Sequence, residues 1–450
     1  MSDAKMEIMD PRRIKRLHQQ ALGYQPLRMK PVHLATSFLL ALVGRYRRLE
    51  WLNKAANPEA AEKRPGDPYV AENLFRILCE DGSFLNERVA LPEFRWLREH
   101  LHAAFDNDGA LNPSFAPRSS FGSDYSTPSL LYLTNGSKNH GHAGAFLWLV
   151  LDASESGRRF LADAKKIVQK ATSTAAVLGY PFVEEDDQEF DKDLLGLCGN
   201  PSPATIGCVS ELMIRQTEAL GRLACHLGDH PTAYALRHLI LAVGSWLLVY
   251  QVRHVRGCAG TILFADFAGA SRPRIRAQSV ACYFRHVGLF GRSLRLFLEH
   301  PDSEISQEDR IAFDAMEAKV EVRITKDLED HFRDFAERIG WVQPRSGTSS
   351  KYFRPQPDTM RVLLMSILDR DEVATMDEVA ERLRDRWRLV LGLLPTDHAM
   401  LRKHGYAPLD EDTDLRANRD AFKRLAIHLG LAWEPSDGLV LFSLSREHLA

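Results

Sequence analysis

The stretch Thr413–Ser443, TDLRANRDAFKRLAIHLGLAWEPSDGLVLFS, decides how the C-terminal part of this chain folds. Leu415, Phe422, Leu425 and Leu429 recur at helical spacing and mark an inward face, while Arg416, Arg419, Lys423 and Arg424 fall mostly outward. Thr413 can cap the start of this helix, and Gly430 can end it, because glycine adopts the left-handed conformation that a helix C-terminus favours. The runs Leu431–Glu434 and Leu439–Ser443, bridged by Pro435, Ser436, Asp437 and Gly438, then predict a hairpin.

Upstream, Asp358–Leu368 (DTMRVLLMSIL) predicts a first helix and Met376–Trp387 (MDEVAERLRDRW) a second, capped by Thr375, with Val379, Leu383 and Trp387 along one face. Three helices followed by a two-stranded hairpin resemble the winged-helix family of helix-turn-helix domains over about residues 358–445. The resemblance implies a third helix that enters the major groove and a wing that touches the neighbouring backbone, which would make Arg416, Arg419, Lys423 and Arg424 groove- or phosphate-facing. Two features depart from that pattern. Residues 388–412 stand where a tight turn is usual, and Glu411, Asp412, Asp414 and Asp420 place negative charge at the expected recognition surface. Winged helices also serve as protein-docking modules.

Before this module, Gln343–Pro357 (QPRSGTSSKYFRPQP) reads as a linker, rich in Pro, Ser and Gly. The expected organisation is therefore an N-terminal helical domain (1–111), a central mainly helical domain (112–342), the linker (343–357) and the winged-helix-like domain (358–450). The fold class is mainly α, a multidomain helical body with that module at its end. In the body, apolar spacing predicts helices over Val32–Tyr46, Val70–Leu78, Leu91–Phe105, Gly157–Leu178 and Ser306–Ile339, the last as one helix or a pair, with Ser306 and Asp309 at its start. The run from Gly257 to Ala270, containing CAGTILFADFAG, predicts a buried strand or a tight crossing between helices. His238–Val252 is apolar on every side but has only 15 residues, short of the roughly 20 that cross a bilayer, and predicts a buried helix rather than a membrane span.

The strongest chemical signal lies in the body. Between Arg253 and Arg295 stand eight arginines, no lysine and one acid, Asp266, giving a local charge of about +7 within a chain of net charge −2. Guanidinium groups bond phosphate oxygens in pairs, so Arg272, Arg274, Arg276, Arg285, Arg292 and Arg295 are candidate nucleic-acid contacts that hold a backbone without reading sequence. Tyr283 and Phe284 are candidates to stack on the bases of a single strand. The competing expectation is internal pairing, with acids from Glu184–Asp193 (EEDDQEFDKD) or from Ser306–Glu337 neutralising the arginines.

Catalytic motifs are weak by comparison. Asp302 with Glu317 and Lys319 makes a PD…ExK pattern that could supply metal-binding carboxylates to a nuclease, but Glu317 and Lys319 fall in a helical stretch where residues two apart diverge. His140 with His142, and His226 with His230, have metal-compatible spacing and no recognisable third ligand. The chain has no Walker phosphate loop, no nucleophile elbow and no dinucleotide fingerprint, so neither a cofactor nor a metal is expected. Six scattered cysteines without a C-x-x-C pair, and an amino terminus without a secretory apolar stretch, give the expectation of a cytoplasmic protein with reduced thiols.

As a whole, the helix-rich body with a terminal winged-helix-like module resembles the large accessory proteins of bacterial antiphage defence and DNA-modification-linked restriction systems. That resemblance implies a noncatalytic subunit that binds or scaffolds DNA beside a separate ATPase, nuclease or methyltransferase. The alternatives carried forward are a divergent metal-dependent nuclease and a protein-only adaptor whose arginines bind an acidic partner.

Overall fold

A computed structural model describes residues 11–26, 31–42, 143–170, 198, 203–254, 262–299, 306–314, 318–344, 350–436 and 438–445. Helices dominate: α1 (Pro11–Leu22), α2 (Pro31–Leu42), α3 (Ala143–Asp152), α4 (Glu155–Lys170), α5 (Pro203–Leu227) and α6 (Thr232–His254) come first. The short strand β1 (Leu263–Phe264) follows, then α7 (Pro273–Gly291), α8 (Ser293–Glu299), α9 (Gln307–Asp314) and α10 (Ala318–Arg338). The last hundred residues hold β2 (Val342–Gln343), β3 (Tyr352–Phe353), α11 (Pro357–Ile367), β4 (Ala374–Thr375), α12 (Met376–Trp387), β5 (Leu389–Val390), α13 (Pro395–Lys403), α14 (Arg416–His428), β6 (Ala432–Ser436) and β7 (Leu439–Phe442). The protein is mainly α.

Helix α6 is the centre of the body, and every residue from His238 to Tyr250 is buried. A helix that is apolar all round finds cover on all sides only inside a core. It packs against α4, α5 and α11. Among the described residues no helix is long and apolar enough to cross a membrane. The apolar run Phe146–Leu151, too short to assign from periodicity, lies within α3, which packs against α2 and α4. The stretch 306–339 forms the pair α9 and α10, and Ser306 Oγ accepts the Asp309 backbone N–H at 3.1 Å at the first start.

At the C-terminal end, α11, β4, α12, β5, α13, α14, β6 and β7 follow in that order, so a fourth helix, α13, stands between the expected second and third, and β4, β7 and β6 form an antiparallel sheet in that order. Thr375 makes a full capping box with Glu378, satisfying two helix-end donors at once. Trp387 sits fully buried with its indole N–H on Ser366 Oγ at 2.9 Å, tying α12 to α11. The cap expected at Thr413 lies elsewhere. The Asp410 carboxylate accepts both the Thr413 N–H and its hydroxyl at 2.8 Å, and a π-helical turn, Glu411–Leu415, precedes α14. Asp410 thus takes the cap position one turn earlier, its carboxylate accepting the N–H three residues on, while the Thr413 hydroxyl serves as a donor to it. Gly430, at φ +68°, ends the helix as its sequence position implied.

The segment 343–357 differs from a linker. β2 and β3 pair as a hairpin, Phe353 is fully buried, and its N–H and carbonyl both meet Ser279 Oγ on α7. Arg354 N–H then bonds Trp341 O at 2.9 Å and Gln356 N–H bonds Gly340 O at 2.8 Å. Residues 345–349 lie outside the described residues, while Tyr352 and Phe353 anchor the stretch to the body. Residues 388–412 have a similar explanation: β5 pairs in parallel with β1, Leu263 opposite Leu389 and Phe264 opposite Val390. The extra length between the second and third helices is the limb that seats this unit on the body. One hydrophobic cluster consequently runs from Leu17 through to Phe442.

Among the described residues four histidines are buried, His18, His238, His286 and His331, and the shifts of three of them are large. Burial lowers His18 and His286 to about 4 and His331 to about 3. The unfolded value is near 6.5, so between those values the unfolded chain binds more protons. Their neutral burial thus costs nothing above about pH 6.5, and stability is lost as pH falls below it. Each of these three histidines is expected to remove about 1 kcal/mol on going from pH 6.5 to 5.5, since the unfolded group is half-protonated at the upper value. His331→Phe, whose ring keeps the contacts with Phe290 and Phe335, should shrink the acid-side loss by that amount in urea titrations at the two pH values. An unchanged pH dependence would contradict the assignment.

Candidate nucleic-acid interface

Helix α7 organises the arginine-rich segment. Pro273 at its first turn fixes the entry and Arg272 precedes it as the N-cap residue without a side-chain cap bond. The inward face carries Ile275, Ser279, Cys282, Tyr283, His286, Val287 and Phe290. Its solvent face carries Arg274, Ala277, Ala281, Phe284, Arg285 and Arg292, all exposed. From Arg274 to Arg292 this face runs for about 27 Å at 1.5 Å per residue.

The structure separates the six arginines of the segment into two kinds. Arg276 donates its Nε to Asp266 Oδ2 at 2.5 Å and lies over the Tyr352 ring at 3.5 Å. Asp266 is fully buried, and its other oxygen takes the Gly269 N–H at 2.8 Å. The single acid of the segment is thereby engaged by one arginine and one turn. Arg295 bonds Glu321 at 2.6 Å and Glu299 at 3.2 Å, and hydrogen bonding to Glu321 holds its guanidinium well above the ordinary arginine value. Glu321 is one of the Ser306–Glu337 acids expected to neutralise arginines internally. Arg276 and Arg295 are thus structural ion pairs first, which corrects their placement beside the exposed arginines.

Arg272, Arg274, Arg285 and Arg292 have no carboxylate partner among the described residues. Arg285 is steadied by neutral groups, donating to His404 O and lying 4.8 Å from the Tyr406 ring centroid. Arg292 reaches only the Gly288 carbonyl, at 3.4 Å. Of the two expected stacking aromatics, Phe284 is 46% exposed but Tyr283 is 1% exposed, its ring set edge-on to Phe353. Tyr283 is therefore a core residue. Beneath the same helix, burial pushes the Cys282 thiol up to about 11, so it is an inert core thiol rather than a nucleophile.

The third C-terminal helix is more neutral and more enclosed than its sequence suggests. Lys423 Nζ bonds both Glu434 oxygens, at 3.0 and 3.1 Å, and Arg419 stands 4.0 Å from Asp377. Arg416 also has an interaction partner, whereas Arg424 is exposed with none among the described residues. On the opposite face Asn418 is fully buried and bonds four backbone groups of the body and of the β5 exit. This contact was absent from the sequence reading, and a lone asparagine in an amphipathic helix gives little signal for it.

Lys319 is exposed on α10, while Asp302 and Glu317 of the nuclease pattern lie outside the described residues, as do His140, His142 and the acidic stretch Glu184–Asp193. His226 Nε2 lies 2.9 Å from the Leu368 carbonyl, joining α5 to the end of α11, which is a packing role. Comparison with protein-family models, curated proteins and solved structures finds no match to this chain.

Proposed function

We propose that this chain is a noncatalytic nucleic-acid-binding or scaffolding subunit that grips a phosphate backbone along the solvent face of α7. The observation that carries the reading is the set Arg274, Arg285 and Arg292 on one helix face with Arg272 at the helix entry, none with a carboxylate partner among the described residues, the segment's one acid being buried and bonded to Arg276. Arginines left unneutralised along one helix make a positive surface that attracts a polyanion. The exposed Phe284 between them offers a ring for a base.

The order of α11, β4, α12, α14, β6 and β7, with β4 pairing on β7, supports a winged-helix reading of the C-terminal unit. Its use here is as a docking module. Lys423 is paired, Asn418 holds α14 to the body, and acids flank the helix start, so groove reading by Arg416, Arg419, Lys423 and Arg424 has less support than backbone contact by α7. Partners would be the enzymes that the antiviral-defence resemblance implies, such as an ATPase or nuclease, which this subunit would bring to DNA in a bacterial cytoplasm.

Fluorescence anisotropy with single-stranded and duplex DNA tests the reading. The protein is expected to bind at low salt, with log affinity falling linearly against log salt by about 0.7 to 0.9 per phosphate contacted. Absence of binding at low salt would overturn it and favour an adaptor whose arginines meet an acidic protein.

A further inference from the structure

Beyond the N-terminal end of α7 the chain turns through Asp266–Ser271, and at this turn Gly269 has φ +73°. A β-carbon there would stand 3.6 Å from Arg354 Nη1 and 3.8 Å from Arg276 Nη2. Two guanidinium groups thus flank one side of a glycine that projects nothing between them. Three backbone donors of the turn are already engaged: Gly269 N–H goes to Asp266, and the Phe267 and Ala268 N–H groups go to Asn418 Oδ1.

The two guanidiniums differ in kind. Arg276 is fixed through Nε on Asp266 and by its stacking on Tyr352, so its charge is balanced while its Nη2 remains directed at the turn. Arg354 comes from the end of β3 and is held by its backbone bond to Trp341. It has no carboxylate partner among the described residues and is partly exposed. Arg272, three residues past Gly269 in the chain, is a second cation without a carboxylate partner among the described residues. One preorganised donor and one unneutralised charge therefore meet beside this turn, the guanidiniums of Arg276 and Arg354 both reaching within 4 Å of where a β-carbon on Gly269 would stand.

We infer that this spot holds a phosphate group of the nucleic-acid backbone, bridged by Arg354 and Arg276 and bordered by Arg272. It is the terminal contact of the track that Arg274, Arg285 and Arg292 continue along α7. This inference rests on the proposed function above. A strand backbone is favoured over a small anion because the unneutralised arginines extend from this turn along about 27 Å of helix, several times the size of a single phosphate. Arginine suits the position because its planar fork engages two phosphate oxygens at once, which lysine cannot do. Arg354 was not among the sequence candidates, since it lies in a different segment and meets the others only through the packing of β3 on α7.

The test compares the full-length protein with Arg354→Gln and Arg354→Lys in DNA binding across a salt series, with Arg159→Gln on the exposed face of α4 as a charge-matched control. Arg354→Gln should weaken binding about tenfold and reduce the salt slope by about 0.7 to 0.9, the value of one phosphate contact. Arg354→Lys should keep the slope and lose about threefold in affinity, the forked bond being lost while the charge stays. Thermal unfolding identifies a variant that fails to fold, in which case the lysine variant decides. Wild-type binding with both Arg354 variants indistinguishable from it would overturn this site and leave the α7 reading intact. No wild-type binding would remove both, and an equal loss in Arg159→Gln would show a nonspecific charge effect and overturn the site.

Discussion

Replacing Asn418 by leucine is expected to destabilise the protein by about 4 kcal/mol, because each buried polar group left unpaired costs about 1 to 3 kcal/mol and some relaxation follows. Asn418 is fully buried. Its Nδ2 donates to Ala265 O at 3.1 Å and Leu391 O at 2.8 Å, and its Oδ1 accepts from Phe267 N at 2.7 Å and Ala268 N at 3.1 Å. All of its bonding capacity is therefore used, and one side chain joins α14 to the turn before α7 and to the strand limb behind β5. Leucine has nearly the same volume but leaves two N–H and two carbonyl groups without partners. Asn418→Asp should also destabilise, since a carboxylate keeps the acceptor and loses both donated bonds. Urea unfolding followed by tryptophan fluorescence reads the change; a loss below about 1 kcal/mol for the leucine variant would contradict this role.

The second large effect concerns binding. The combined variant Arg272→Ala, Arg274→Ala, Arg285→Ala and Arg292→Ala is expected to lose about 100-fold in DNA affinity at moderate salt, and its salt slope should fall by about 2 to 3, somewhat less than four full contacts at 0.9 each. The fold should survive, because none of the four is ion-paired to a carboxylate among the described residues. Arg285 is the one with a packing role, through His404 O and the Tyr406 ring, so the triple variant that retains Arg285 separates binding from stability. A variant that binds like wild type, with an unchanged slope, would remove α7 from the interface.

Local signals in the sequence were read well where the physics is local. Thr375 gave a helix cap, Gly430 gave a helix end, and the apolar run within α6 gave a buried helix. Long-range pairing was illegible. β1 and β5 are two-residue strands more than a hundred positions apart, and neither has the alternating pattern that marks a strand. The stretch 343–357 was misread for a related reason: Pro and Gly report turns, and only the buried contacts of Phe353 distinguish a packed hairpin from a tether.

The candidate site was legible as a charge concentration and not as a surface. Composition located the arginines, but only packing shows that Arg276 answers Asp266, that Arg295 answers Glu321, and that Tyr283 faces the core. The same packing brings Arg354 to the turn that Arg276 flanks. Sequence spacing places residues on a helix face, whereas the acids that neutralise them arrive from other segments.

The most direct test sets the two candidate surfaces against each other on one DNA duplex. The α7 variant lacking Arg272, Arg274 and Arg292 is compared with an α14 variant lacking Arg416, Arg419, Lys423 and Arg424, each measured for affinity across the same salt series. A large loss of affinity and slope in the α7 variant, with the α14 variant close to wild type, is the predicted result. The reverse pattern would contradict the account and return the interface to the C-terminal helix.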